Sequence, residues 1–222
     1  VFMSRDLKLL EATNRIVIPG VGAIGDCMKA IKNLGMDDLI RRFSEEKPIL
    51  GVCVGMQILL KESEESGGTN CLGLVDGILK KLNVSKDIKV PHMGWNGVSQ
   101  TNDHPLFKNV NDKTQFYFVH SYYAVPYDTS VVIGTTEYQI DFASVIVKDK
   151  LAATQFHPEK SQRSGLVLLK TFLSIVKKFE SSVAIRGKCQ TLGKKLIPSS
   201  VGILKASIDF KSGILAIGAT RQ

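Results

Sequence analysis

Cysteine is scarce in this chain. The four present, at positions 27, 53, 71 and 189, are too scattered for a disulfide framework, and no Cys-x-x-Cys pair points to a zinc site. A reducing compartment is the default for such a protein, and a cytoplasmic location is expected. No apolar run approaches the length of a membrane span, and the first residues lack the charged, apolar and small-residue succession of a secretory signal. Membrane partners are therefore not expected. Basic residues are nowhere interleaved with aromatics in a binding stripe, which argues against a nucleic-acid partner. Internal repeats and low-complexity tracts are also missing.

The net charge of +8 is unevenly placed. Residues 183–222 hold seven Lys or Arg against one acid, Asp209, and so account for six of those charges. The rest of the chain is nearly balanced, and its 222 residues, 44% hydrophobic, suit one α/β domain with a large core.

The order of local patterns supports that class. Residues 15–18 form a short buried-strand pattern that stops at Pro19-Gly20-Val21-Gly22. Helical spacing follows over 26–42, then a strand running into Cys53, then a helix expected over 56–63. Strand, helix, strand alternation predicts an open, mostly parallel sheet flanked by helices. From residue 72 onward short strand-like runs at 77–79, 115–119, 131–136 and 144–147 predict an antiparallel edge, before a helix over 165–179. The domain is thus expected over residues 1–180. Residues 181–222 read as a basic tail with two glycine-interrupted apolar pieces, Val201 to Leu204 and Gly213 to Ile217. They form an appended strand pair, the start of a second domain, or an unstructured extension.

One stretch carries chemistry. Pro48-Ile49-Leu50-Gly51-Val52-Cys53-Val54-Gly55-Met56-Gln57 is an apolar strand entering Gly-x-Cys-x-Gly and then a helix, the layout of a nucleophile elbow with cysteine at its apex. A sharp strand-to-helix turn crowds the backbone on both sides, so residues without Cβ are needed there. A thiol at a helix N-terminus is also favoured as the nucleophilic thiolate. Such a nucleophile needs a base, and of the four histidines (92, 104, 120 and 157) His157 is placed best. It ends the run Ala153-Thr154-Gln155-Phe156, and Pro158 restricts it to extended geometry. Glu159 then lies on the same side of the chain and can hold one ring nitrogen while the other faces the thiol. Cys53, His157 and Glu159 make a catalytic triad for acyl transfer.

Gly51 to Gln57 and Gln155-Phe156-His157-Pro158-Glu159-Lys160-Ser161 resemble the two signatures of the class I glutamine amidotransferases. Within them, Met56, Val90-Pro91-His92-Met93-Gly94-Trp95-Asn96 and Val119-His120-Ser121-Tyr122-Tyr123 are similar to the glutaminase subunits of imidazole glycerol phosphate synthase, with Pro19 to Gly22 and Glu62 to Glu65 fitting too. The resemblance covers about residues 12–179. It implies that Cys53 attacks the side-chain amide of L-glutamine while His157 shuttles protons, giving glutamate and ammonia without a cofactor or metal. It implies a partner as well, a cyclase subunit with a (β/α)8-barrel fold that uses the ammonia in histidine biosynthesis. The oxyanion would be held by backbone N–H groups at Val54, Val21 and Gly22. Gln57 and Glu65 would line the glutamine pocket, Glu65 facing the substrate ammonium, with His120, Ser121 and Tyr122 beside them. His92, Trp95, Asn96, His120 and Tyr123 would shape the site or face the cyclase. Family members carry a strand and a helix before the Pro19 strand that this chain is expected to lack, and Ala153 stands where glycine is usual. Two alternatives keep part of this reading: a glutaminase feeding another acceptor, such as a sugar-modifying amidotransferase, and a non-catalytic partner subunit.

Overall fold

The computed structural model describes residues 2–4, 6–85, 88–182 and 216–218. In chain order the elements begin with β1 (Phe2–Ser4), α1 (Leu7–Glu11), β2 (Ile16–Gly20), α2 (Ile24–Asn33), α3 (Met36–Glu46), β3 (Ile49–Cys53) and α4 (Val54–Gln57). There follow β4 (Glu62–Ser63), β5 (Thr69–Asn70), β6 (Gly77–Lys81), β7 (His92–Gln100), β8 (Thr114–His120), β9 (Tyr122–Pro126) and β10 (Val132–Glu137). The last are β11 (Asp141–Lys148), β12 (Leu151–Thr154), α5 (Gln162–Ser182) and β13 (Ala216–Gly218).

Strand β3 is buried at every residue, with β2 and β12 parallel to it on either side. A strand covered on both faces has no polar positions to spare, which is why Ile49 to Cys53 reads as a continuous apolar run rather than an alternation. Beyond β12 the pairing turns antiparallel through β11, β9 and β6, and a branch of β10, β7 and β8 leaves from β11. The fold is mixed α/β, with its parallel strands at the place where the Cys53 elbow begins.

Helices α2 and α3 replace the single helical stretch over 26–42. Gly35 divides them in a left-handed conformation, φ 63°, which glycine adopts without strain. Each helix buries one stripe: Ile24, Cys27, Met28 and Ile31 from α2, and Met36, Leu39, Ile40 and Phe43 from α3. At roughly 1.5–3 kcal/mol per large apolar side chain removed from water, the α3 stripe anchors that helix more firmly than its own helix propensity could.

The helix expected over 56–63 is corrected to one turn, α4. The carbonyls of Ile58, Leu59 and Leu60 do not continue it, because they accept from the backbone N–H groups of Leu72, Gly73, Leu74 and Val75. Those three residues are fully buried, so the chain saturates its backbone polar groups through the 72–75 loop instead of through a helix.

At the other end of the sheet, Phe2–Ser4 does not lie beside β2. That place is taken by β13, antiparallel, with Ile217 opposite Val17 and Gly218 opposite Ile16, and β1 pairs with the outer side of β13. The apolar piece Val201 to Leu204 lies outside the described residues.

Candidate active site

The elbow is set by close backbone approach. A Cβ on Gly51 would lie 2.6 Å from the carbonyl oxygen of Gly55, and one on Gly55 would lie 1.8 Å from that of Ile18 in β2. Glycine is therefore required at both positions. Cys53, between them, takes φ 54° and ψ −112°, a conformation that costs a non-glycine residue about 1–3 kcal/mol and that the surrounding strands hold in place. Strands β2, β3 and β12 end together at Gly20, Cys53 and Thr154, so the thiol sits at the carboxyl edge of the parallel sheet, where open α/β sheets bind ligands.

His157 reaches the same edge from β12. Phe156, buried, stacks on Phe116 with ring centroids 4.1 Å apart and turns the next side chain to the opposite face. The backbone N–H of His157 donates to the carbonyl of Tyr117 at 2.9 Å, and its carbonyl accepts from the Ser161 hydroxyl at 2.6 Å. Nδ1 of the ring is 2.7 Å from Oε1 of Glu159. Nε2 is buried, close enough to Cys53 for the sulfur to favour the charged ring, and has no formed hydrogen bond among the described residues. Burial is the largest influence on this imidazole and pushes its pKa down. The combined pull of Cys53 and Glu159 outweighs it and lifts the pKa to about 9.

Cys53 and His157 open onto a cleft of about 320 Å³ lined also by Val21, Gly22, Val54, Gln57, Glu65, His120, Ser121 and Tyr122. The structure thus brings together the expected nucleophile, base, oxyanion and glutamine-pocket residues, with Glu159 behind His157. Val54 begins α4, so its N–H has no acceptor within the helix. A larger groove of about 710 Å³ runs along α5, but it is lined by residues such as Lys108, Arg163 and Lys170 with neither cysteine nor histidine. Size alone does not mark the site. Among the described residues no group of three or more His, Cys, Asp or Glu could hold a metal ion.

Hydrogen bonds fix the cleft wall in one direction. The Tyr122 carbonyl can only accept, and it accepts from Gln57 Nε2 at 3.0 Å and from His120 Nδ1 at 2.9 Å. With its proton on Nδ1, His120 must accept at Nε2, where His92 Nδ1 lies 3.0 Å away. His92 Nε2 is then left to accept from Asn96 Nδ2 at 3.3 Å, while the same Asn96 amide nitrogen donates to the Glu137 carbonyl. This order needs both imidazoles neutral. Burial supplies that condition, depressing His92 to about 4 and His120 to about 3. Of the other residues expected around the site, Tyr123 leans toward Phe142, and Trp95 stands half-exposed with its ring edge-on to Tyr117.

A family profile described as Glutamine amidotransferase class-I matches residues 3–175. The imidazole glycerol phosphate synthase subunit HisH of Pseudomonas putida strain KT2440 is 46% identical over 179 residues, spanning 78% of this chain and 84% of its own length. The subunit of that name from Dehalococcoides mccartyi strain CBDB1 is 42% identical over 174 residues, with coverage of 78% and 84%. The chain belongs to the HisH family of class I glutamine amidotransferases. The fold agrees: a crystal structure of a glutamine amidotransferase superposes with a TM-score of 0.60 at 17% identity over 78% of this chain and 85% of that one. A glutamine amidotransferase from Thermotoga maritima gives 0.52 at 20% identity, covering 79% of this chain and 67% of its own.

In this HisH-family chain, three residues of the site escape the sequence reading: Pro91 and Val119, which line the cleft, the Val119 carbonyl 3.7 Å from the Cys53 sulfur, and Gln155. Gln155 is fully buried, accepts from Gln57 Nε2 at 3.2 Å and points its own amide nitrogen at the Cys53 sulfur, 3.9 Å away. The signal was its spacing: two residues before His157 on an extended chain, it shares that residue's face.

Proposed function

We propose that this chain is the glutaminase subunit of an imidazole glycerol phosphate synthase. It hydrolyses L-glutamine to glutamate and ammonia in the cytoplasm, and the ammonia passes to a cyclase partner that uses it for histidine biosynthesis. The observation that carries the reading is the contact of His157 Nδ1 with Glu159 while Nε2 is turned to Cys53 at the apex of a strained elbow.

The chemistry follows from those positions. His157 takes the thiol proton, and the Cys53 sulfur attacks the side-chain amide carbon of glutamine. The oxyanion that develops is met by the N–H groups of Val54 and the Val21–Gly22 loop, backbone donors that need little reorganisation as charge builds once they point into the cleft. Collapse of this intermediate breaks the C–N bond, and His157 returns its proton to the leaving nitrogen, releasing ammonia. A water, deprotonated by the same ring, then attacks the thioester and frees glutamate and the thiol. Glu159 keeps the ring oriented throughout and stabilises its charged form.

The test uses glutamine labelled with ¹⁵N at the side-chain amide. The parent protein releases labelled ammonia and Cys53→Ala releases none, a loss of roughly 10⁴-fold or more in kcat when a nucleophile is removed. Labelled ammonia produced by Cys53→Ala at the parent rate rejects the reading. Adding the cyclase and its nucleotide substrate should move the label into the imidazole product.

A further inference from the structure

Helix α2 starts immediately after the Val21–Gly22 loop, and its N-cap is Ala23, whose side chain cannot accept a hydrogen bond. The first N–H of the helix is nevertheless satisfied. Ile24 N donates to Oε2 of Glu65 at 3.1 Å, across 41 residues of sequence. Glu65 is itself held in place, because its N–H donates to the Ser63 hydroxyl at 3.1 Å and its carbonyl accepts from the Thr69 hydroxyl at 3.2 Å. The turn carrying it lies against the start of α2, with the side-chain oxygens of Ser66 and Thr69 3.8 and 3.7 Å from where a Cβ on Gly25 would stand.

The loop between these supports has little else to hold it. Gly20 at its start is paired with Cys53 in the sheet, Gly22 has φ 98°, and the Cβ direction of Gly22 meets nothing within 4 Å. Among the described residues, the Val21 carbonyl receives a long 3.7 Å contact from the Cys27 thiol. The orientation of the Val21–Gly22 peptide therefore depends on where Ile24 is fixed, and a carboxylate in the substrate cleft fixes it.

We propose that Glu65 is a positioning residue for the oxyanion loop as well as a contact for the substrate's ammonium group. A carboxylate has two oxygens: one accepts from Ile24 N, and the other remains for the α-ammonium of glutamine. Occupancy of the amino-acid end of the cleft is thereby linked to the loop that receives the oxyanion at the other end. The substrate half of this proposal rests on the glutaminase reading above, whereas the tie to α2 stands on its own.

Two variants separate the roles. Glu65→Gln removes the charge an ammonium needs but keeps a carbonyl oxygen that can accept from Ile24 N, while Glu65→Ala removes both. KM for glutamine should rise by about tenfold or more in each, but kcat should be about tenfold higher in the Gln variant than in the Ala variant, a loss specific to the transition state. Amide hydrogen exchange at Ile24 should be faster in Glu65→Ala than in Glu65→Gln. The proposal fails if either kcat or the Ile24 exchange rate is the same in the two variants. Cys53→Ala, assayed alongside, reports on the glutaminase reading separately, and the Ile24 exchange comparison needs no turnover at all.

Discussion

Gly55 stands so close to Ile18 that a single added methyl group would overlap the Ile18 carbonyl oxygen, at 1.8 Å. The clash is with backbone in the neighbouring strand, which cannot turn aside as a flexible side chain would. Gly55→Ala is therefore expected to destabilise the protein by about 3 kcal/mol or more, at or beyond the upper end of ordinary overpacking, and to abolish glutamine hydrolysis. Urea unfolding would measure the first effect. An Ala variant with parent stability would mean that α4 can move away from β2.

Glu159→Gln removes the negative charge beside Nδ1, one of the influences that hold the His157 pKa near 9. The His157 titration followed by NMR should move to lower pH, and kcat should fall by roughly 10²–10⁴-fold, less than for loss of the nucleophile. An unchanged midpoint would show that Cys53 alone maintains the raised value.

The histidines set opposite limits on stability. His92 and His120 are depressed to about 4 and about 3 in the fold, below the ordinary 6.5. The stability they contribute as neutral groups is present above pH 6.5 and is lost as pH falls through their folded values. His157, raised to about 9, contributes stability that is full below pH 6.5 and is lost as pH rises through 9. Urea midpoints at pH 4.5, 6.5 and 9.5 should therefore be highest in the middle. A midpoint that stays level from 6.5 down to 4.5 would contradict neutral burial of the His92 and His120 pair.

The tail calls for a deletion. Reading residues 181–222 as an extension predicts no effect on stability, but pairing of Ala216–Gly218 with β2 predicts one. Removing 183–222 leaves the β2 edge unpaired, and Tm should fall by a few degrees, on the scale of 2–4 °C per kcal/mol for a chain of this size. An unchanged Tm would show that this strand contributes little.

What could be read from the sequence was what local backbone chemistry dictates. Gly51 and Gly55 mark the elbow because no other residue fits there, and Pro158 makes His157 and Glu159 neighbours on one side of the chain. The strands around β3 were legible as apolar runs because both their faces are covered. The helix over 56–63 was not, since its pattern says nothing of the 72–75 loop that takes the carbonyls of Ile58, Leu59 and Leu60. Gln155 and the His92–His120 pair were obscure for a related reason: their meaning lies in partners 28 to 102 residues away. The place of β13 beside β2 is likewise a tertiary fact with no local signature.

The close backbone approach at which β2, β3 and α4 meet also makes the enzyme a gauge of its own folding. Cys53 keeps its strained conformation only while Ile18, Gly51 and Gly55 remain packed at the centre of the sheet. No partly unfolded species that opens this crossing can retain turnover, so turnover at saturating glutamine and structure should be lost along one curve in denaturant. The two-residue strands near Glu65 lie at the periphery, and loosening there would appear first as weaker glutamine affinity in a protein whose spectroscopic signature is still native.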